Sequence, residues 1–153
     1  MRSLHPDYQL RVEKLQQLLS RQGIEALVIA SNVGLLYLSG QVFSGLIFVP
    51  QTGEAQFFVR RPQTEPETDT LHHIRKIEQL TDYIDTAKIA SVALELDEQS
   101  YGDIQRQKKL FPTAELHNGT ALLREARMVK TPLEIEQIRK GAQHHIATYA
   151  VIP

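Results

Sequence analysis

Leu46-Ile47-Phe48-Val49-Pro50-Gln51-Thr52-Gly53-Glu54-Ala55-Gln56-Phe57-Phe58-Val59 is the stretch on which the fold turns. Two runs rich in β-branched and aromatic residues flank five residues that include Pro50 and Gly53. Glycine accepts the backbone geometry of a tight reversal, and β-formers on either side pair across it. The pattern predicts an antiparallel hairpin with strands at 46–49 and 55–59. Upstream, residues 26–30 (ALVIA) form a continuous apolar run, the pattern of a strand covered on both faces. Before it, Tyr8, Val12, Leu15, Leu18 and Leu19 recur at helical spacing over 7–21. That leaves Arg11, Glu13, Lys14, Gln16 and Gln17 for solvent, and Gly23 as the stop. Ser31-Asn32 caps a short helix through Leu36, Tyr37 and Leu38 that ends at Ser39-Gly40.

Downstream of the hairpin, residues 62–69 are polar with two prolines, a surface loop or a loose helix start, and residues 72–77 make a short edge strand. A helix is expected over 79–87 with Leu80, Tyr83 and Ile84 inward. A strand follows over 89–96, with Val92, Leu94 and Leu96 alternating against Ser91, Ala93 and Glu95. Ser100 and Asp103 cap a helix through Leu110 that Phe111-Pro112 stops. Residues 113–117 read as a last strand and Asn118-Gly119 as a turn. Helices interleaved with strands and one hairpin make an α/β domain with a mixed sheet and helices on both faces.

The C-terminal stretch is separately organised. A domain closes near residue 126, and a short polar joint covers 127–131. Thr131-Pro132-Leu133-Glu134 then starts a helix over 132–153: Thr131 caps it, Pro132 needs no amide hydrogen, and Glu134 suits the positive end. Ile135, Ile138, Ala142 and Ile146 form one apolar stripe along it, a candidate interface.

Composition bounds the function. The chain has 153 residues, is 42% hydrophobic, and carries a formal charge of −1, so it has one core and no general attraction to nucleic acid or anionic membranes. It has no cysteine, which excludes disulfides and thiolate chemistry and fits a cytoplasmic, reducing setting. No apolar run approaches the roughly 18–20 residues that span a bilayer. The pairs His72-His73 and His144-His145 invite a metal, but neighbouring residues diverge on helix and strand alike, and no HExxH motif is present. They are expected to be ordinary, partly exposed histidines. Glu95, Asp97 and Glu98 stand at a strand end where carboxylates can hold magnesium or move protons. The plainer expectation is a solvated loop leading into a helix, with Asp97 or Ser100 as its cap. No glycine pattern matches a phosphate cradle and no serine a nucleophile elbow, so the chain presents no catalytic or metal-ligating set of its own.

Two stretches together carry a resemblance. Residues 32–40 (NVGLLYLSG), after the 26–30 strand and before the hairpin, are similar to the "YLTGF"-like segment of the creatinase/prolidase N-terminal domain. Residues 123–142 (LREARMVKTPLEIEQIRKGA) resemble that family's entry into its pita-bread metallopeptidase domain. The resemblance implies a ribonuclease-H-like α/β fold over 1–126, a homodimer formed through it, and a catalytic domain of which 132–153 is the first helix. It implies that Gln41, Val42, Phe43 and Ser44 help to close a substrate site, although Gln41 stands where an aromatic is common. It also implies a parent Xaa-Pro dipeptidase or aminopeptidase with two divalent metals (manganese, cobalt or zinc), whose two Asp, one His and two Glu ligands all lie beyond this chain. Creatinase shares the architecture without metals, so a metal-free relative stays open. A stand-alone assembly module using the terminal stripe, and a metal-dependent nuclease using Glu95 and Asp97, are the other readings. Without a covering domain, the stripe should pack on another copy, fold back, or fray.

Overall fold

A computed structural model describes residues 7–150, and the N- and C-terminal ends of the sequence-level domain assignment fall outside them. Helix α1 (Tyr8–Gln22) ends at Gly23, whose φ of 68° lets its amide turn back to the last carbonyls. The chain reverses into β1 (Ala26–Ile29), then α2 (Asn32–Ser39), with the Ser31 hydroxyl accepting from the Gly34 amide. The hairpin forms as β2 (Ser44–Pro50) and β3 (Gln56–Arg61), antiparallel, with Ile47 opposite Phe57. The remaining elements are β4 (Leu71–His73), β5 (Ser91–Leu94), α3 (Tyr101–Lys108), β6 (Glu115–Asn118), α4 (Thr120–Met128) and α5 (Pro132–Tyr149).

The six strands form one mixed sheet in the order β4-β3-β2-β1-β5-β6. β1 pairs antiparallel with β2 and parallel with β5, while β3–β4 and β5–β6 are parallel. Successive strand residues point to opposite faces, and helices cover both. Leu27, Ile29, Ile47, Val49, Phe57 and Val59 pack beneath α1, α2 and α4. Val28, Leu46, Phe48, Phe58, Val92 and Leu94 pack against Ile74, Leu80, Leu110 and Phe111 on the other side.

Several elements differ from expectation. The helix expected over 79–87 is instead two 3-10 turns, Ile77–Asp82 and Thr86–Lys88. Leu80 is fully buried there, Ile77 and Ile84 are only partly buried, and Tyr83 lies half-exposed against the His72 ring, too little apolar anchoring to sustain a longer helix. β5 is shorter than expected and buried on both faces, since it is flanked by β1 and β6 within the sheet. The 120–128 segment, unassigned from sequence, is α4, with Leu122, Leu123 and Ala126 packed inward. α5 forms with its capping box complete, but it does not fold back. Ile135, Ile138 and Ile146 are 40%, 58% and 70% exposed, Ala142 is exposed too, and no described residue covers the stripe.

Two glycines differ sharply in surroundings. A Cβ on Gly45, beside the bulge in β2, would stand 2.0 Å from the Phe58 carbonyl oxygen, whereas one on Gly141 in α5 would meet nothing within 4 Å. Gly45→Ala is expected to destabilise the chain by about 2 kcal/mol or more. Gly141→Ala should stabilise α5 by up to about 1 kcal/mol. Urea unfolding of the two variants checks both signs.

Candidate functional site

The expected closing loop is built by a strand end and an aromatic anchor. Phe43 is buried in the core beneath α1 and α2, which pins the loop, while Gln41, Val42 and Ser44 stay exposed. The Ser39 hydroxyl accepts from the Gln41 amide at 3.1 Å and donates to the Leu35 carbonyl at 2.7 Å, fixing where the loop leaves α2. Val42, Phe43 and Ser44 line an open crevice of about 770 Å³ with Ala30, Ser31, Arg60, Arg61 and Gln107. Gln41 instead faces a small neighbouring hollow beside His73. None of Ile135, Ile138, Ala142 and Ile146 lines the crevice, so the two candidate sites are separate surfaces.

Below the crevice, Glu95 overturns its expected place in a solvated loop. It is fully buried, and its carboxylate accepts from the Ala30 and Ser31 amides at 2.7 and 2.8 Å and from the Ser31 hydroxyl at 2.6 Å. These bonds satisfy free donors at the start of α2 and supply the negative charge that the helix start favours. All three of those hydrogen bonds are structural, so Glu95 is not free to pair with Asp97 on a metal. Asp97 accepts from the Asn118 side chain at 3.1 Å, and Glu98 holds Arg124 at 2.8 Å. Ser100 caps α3, as expected. Among the described residues no three His, Asp or Glu side chains converge to hold a metal ion. The two-metal ligand set implied for a parent enzyme therefore has no counterpart in them. His72 also departs from expectation. It is buried, bonds Gln56 at 2.8 Å and stacks on Tyr83, and burial holds its pKa below the usual value against the pull of Glu67 and Asp69.

A second constellation holds the joint at the start of α5, and sequence reading missed its central member. Arg11, expected in solvent, is 4% exposed. Its guanidinium donates to the Tyr37 carbonyl and, at 2.9 Å, to Glu134, and lies 4.5 Å from the centre of the Tyr37 ring. Glu134 also accepts from the Thr131 amide at 2.8 Å, and the Thr131 hydroxyl bonds Asp7. Tyr37 completes the cluster by donating to the Ala126 carbonyl at 3.2 Å, and burial pushes its phenol up to about 12. One cation thus ties α1 and α2 to the first turn of α5. The available signal was Glu134 itself, a capping residue with one carboxylate oxygen to spare.

Burial alone would push the Glu134 carboxyl up. The Thr131 bonds and the Arg11 charge outweigh it, and the group ends below the ordinary carboxylate value. A depressed folded-state pKa contributes stability that is present above the unfolded value and is lost as pH falls through the folded one. Glu134→Gln should therefore flatten the acid limb of a stability–pH profile. Arg11→Met, which removes the cation beside the Glu134 carboxylate, should destabilise by about 3 kcal/mol. Chemical unfolding between neutral pH and pH 3 reads both.

With this geometry in view, comparison with known proteins is direct. No curated protein matches the chain, and no helix among the described residues is long and apolar enough to cross a membrane. The prolidase from Pyrococcus horikoshii OT3 superimposes with a TM-score of 0.68 at 22% identity, over 94% of this chain and 43% of the prolidase. The Xaa-Pro dipeptidase from Bacillus anthracis gives 0.67 at 20% identity, over 93% of this chain and 43% of its own. This chain therefore spans less than half of each of those two proteins. The N-terminal domain of the cytoplasmic peptidase PepQ from Mycobacterium tuberculosis H37Rv gives 0.66 at 16% identity, and 98% of that domain is covered by 77% of this chain. At these identities the likeness is one of fold, and it lies in the N-terminal domain of prolidase-type proteins. The profile of the creatinase/prolidase N-terminal domain matches residues 11–129, from Arg11 through Val129, and the chain belongs to that family.

Proposed function

We propose that this chain is the non-catalytic N-terminal domain of a Xaa-Pro dipeptidase or aminopeptidase. In this reading residues 1–126 are the domain, 127–131 the joint, and 132–153 the first helix of a metallopeptidase domain. The observation that carries it is the joint. The family match ends at residue 129, and two residues later Thr131 and Glu134 start a helix with an uncovered apolar stripe, held at a set angle by Arg11. A helix so firmly launched, yet bare along Ile135, Ile138, Ala142 and Ile146, is suited to a further domain packing on it. The domain's work would be to form a homodimer and to present Gln41, Val42, Phe43 and Ser44 to a substrate site. Phe43 suits that role as an anchor, because its burial lets Val42 and Ser44 project without the loop moving. The two divalent metals belong to the parent's catalytic domain, and the cytoplasm is the proposed location.

The same stripe supports the alternative of a stand-alone assembly module, since an exposed apolar helix face also pairs with a copy of itself. The nuclease reading loses its basis, because Glu95 is consumed by the start of α2. Incubated with manganese and a Xaa-Pro dipeptide, the 153-residue chain should release no proline, and hydrolysis by this chain would overturn the assignment. Joined to a metallopeptidase domain, Val42→Gly with Ser44→Gly, which spares the buried Phe43 anchor, should raise KM by about tenfold while leaving metal content unchanged. Sedimentation of the chain and of an Ile138→Glu, Ile146→Glu variant separates the two readings: an assembly module dissociates on these changes, whereas a dimer made through the 1–126 domain does not.

A further inference from the structure

We propose that the crevice at the carboxyl ends of β1 and β5 binds a small oxyanion, a carboxylate or phosphate ligand held by Arg60 and Arg61. The topology makes the crevice. β1 and β5 are parallel neighbours, but the chain leaves them toward opposite faces. After β1 it enters α2, whose Leu35 and Leu38 join the core beneath α1. After β5 it enters α3, whose Ile104 packs on the other core. Segments that part in this way open a gap above the strand ends, the place where open α/β sheets receive ligands. At about 770 Å³ the gap is of the size that takes a small molecule.

Its charge selects the ligand's sign. Arg60 and Arg61, at the end of β3, line the crevice and make no ion pair or hydrogen bond through their side chains with any described residue. Two of the other charges there are ion-paired, Arg106 with Glu78 at 3.2 Å and Glu98 with Arg124 at 2.8 Å, while Asp103, which accepts from the Ser100 hydroxyl at 2.6 Å, keeps its negative charge. The two unpaired guanidiniums, which the register shift between Ser44 and Gly45 leaves on the same crevice, outnumber that one carboxylate, and their planar donor arrays fit carboxylate and phosphate oxygens. The start of α2 is not the seat, since Glu95 already fills it.

The lining also holds unspent hydrogen-bonding capacity. Gln107 is 3% exposed and donates to the Gln99 side chain. That bond leaves the Gln99 amide nitrogen and the Gln107 carbonyl oxygen buried without partners. Buried polar groups in folded proteins are nearly always satisfied, so an orphaned donor and acceptor in one crevice point to an occupant. An oxyanion accepts from the Gln99 amide, and a hydroxyl or protonated oxygen of the same ligand donates to Gln107. The inference needs neither a second domain nor a dimer, so it stands or falls apart from the peptidase reading.

The test is a nuclear magnetic resonance titration of the ¹⁵N-labelled chain with inorganic phosphate and, separately, with citrate, at constant ionic strength set by sodium chloride. The expected result is saturable movement of the Ser44, Gly45, Arg61, Gln99 and Gln107 amides with at least one of the two, and the stronger response identifies the ligand's chemistry. Arg60→Gln with Arg61→Gln, which removes both charges but keeps polar side chains, should weaken that binding by about tenfold or more while the rest of the spectrum superimposes. Lys140→Gln, on exposed α5, should change nothing. Failure of both anions to give saturable shifts, or equal binding by the double variant, would overturn the proposal.

Discussion

The Glu95 carboxylate is the constraint that the upper end of the sheet depends on. It leaves the end of β5, crosses to the end of β1, and takes the backbone amides of Ala30 and Ser31 together with the Ser31 hydroxyl. A buried carboxylate without such partners would cost several kcal/mol, so the two parallel strands, the turn after β1 and the first turn of α2 are locked as one piece. Everything nearby inherits that geometry. Ser31 is free to cap Gly34, α2 starts at a fixed angle, and the crevice above the two strand ends keeps its walls.

The opposite end of α2 carries a second lock of the same kind but opposite charge. Arg11 bridges the Tyr37 carbonyl, the Tyr37 ring and Glu134, so α5 leaves the domain in one direction. In both locks a single ion replaces several separate hydrogen bonds to water, and each draws together elements far apart in sequence. Arg11 and Glu134 are 123 residues apart, and Glu95 and Ser31 are 64 apart. The apolar cores on the two sheet faces supply most of the stability, while these ions decide how the helices sit on them.

Much of the fold was legible because its signals are local. The 46–59 hairpin, the α1 stripe with its Gly23 stop, the Ser31, Ser100 and Thr131 caps and the two-faced burial of β1 all appear where residue pattern places them. α4 went unassigned because its nine residues are short and follow directly on a strand. The 77–88 segment misled because Leu80, Tyr83 and Ile84 have helical spacing, yet of these only Leu80 is fully buried, while Ile84 is partly covered and Tyr83 half-exposed. The candidate site was legible only in part. The 41–44 loop could be named from its family resemblance, but Arg60, Arg61, Gln99 and Gln107 come from three other segments and carry no motif.

By itself the sequence determined the periodic and local features: which stretches coil, which extend, where caps and glycine stops fall, and which N-terminal domain family the 32–40 and 123–142 segments resemble. Those depend on neighbours within a turn or two, so the information is already in the string. Tertiary structure alone decided the fate of the charged groups. Arg11 and Glu95 look like any surface residues in sequence, and they became buried because distant backbone groups converged on them. Arg60 and Arg61 form no ion pair among the described residues, although the folding brings Glu98 and Asp103 to the same crevice. An ion's environment is set by what lies across space from it, and spacing along the chain does not record that.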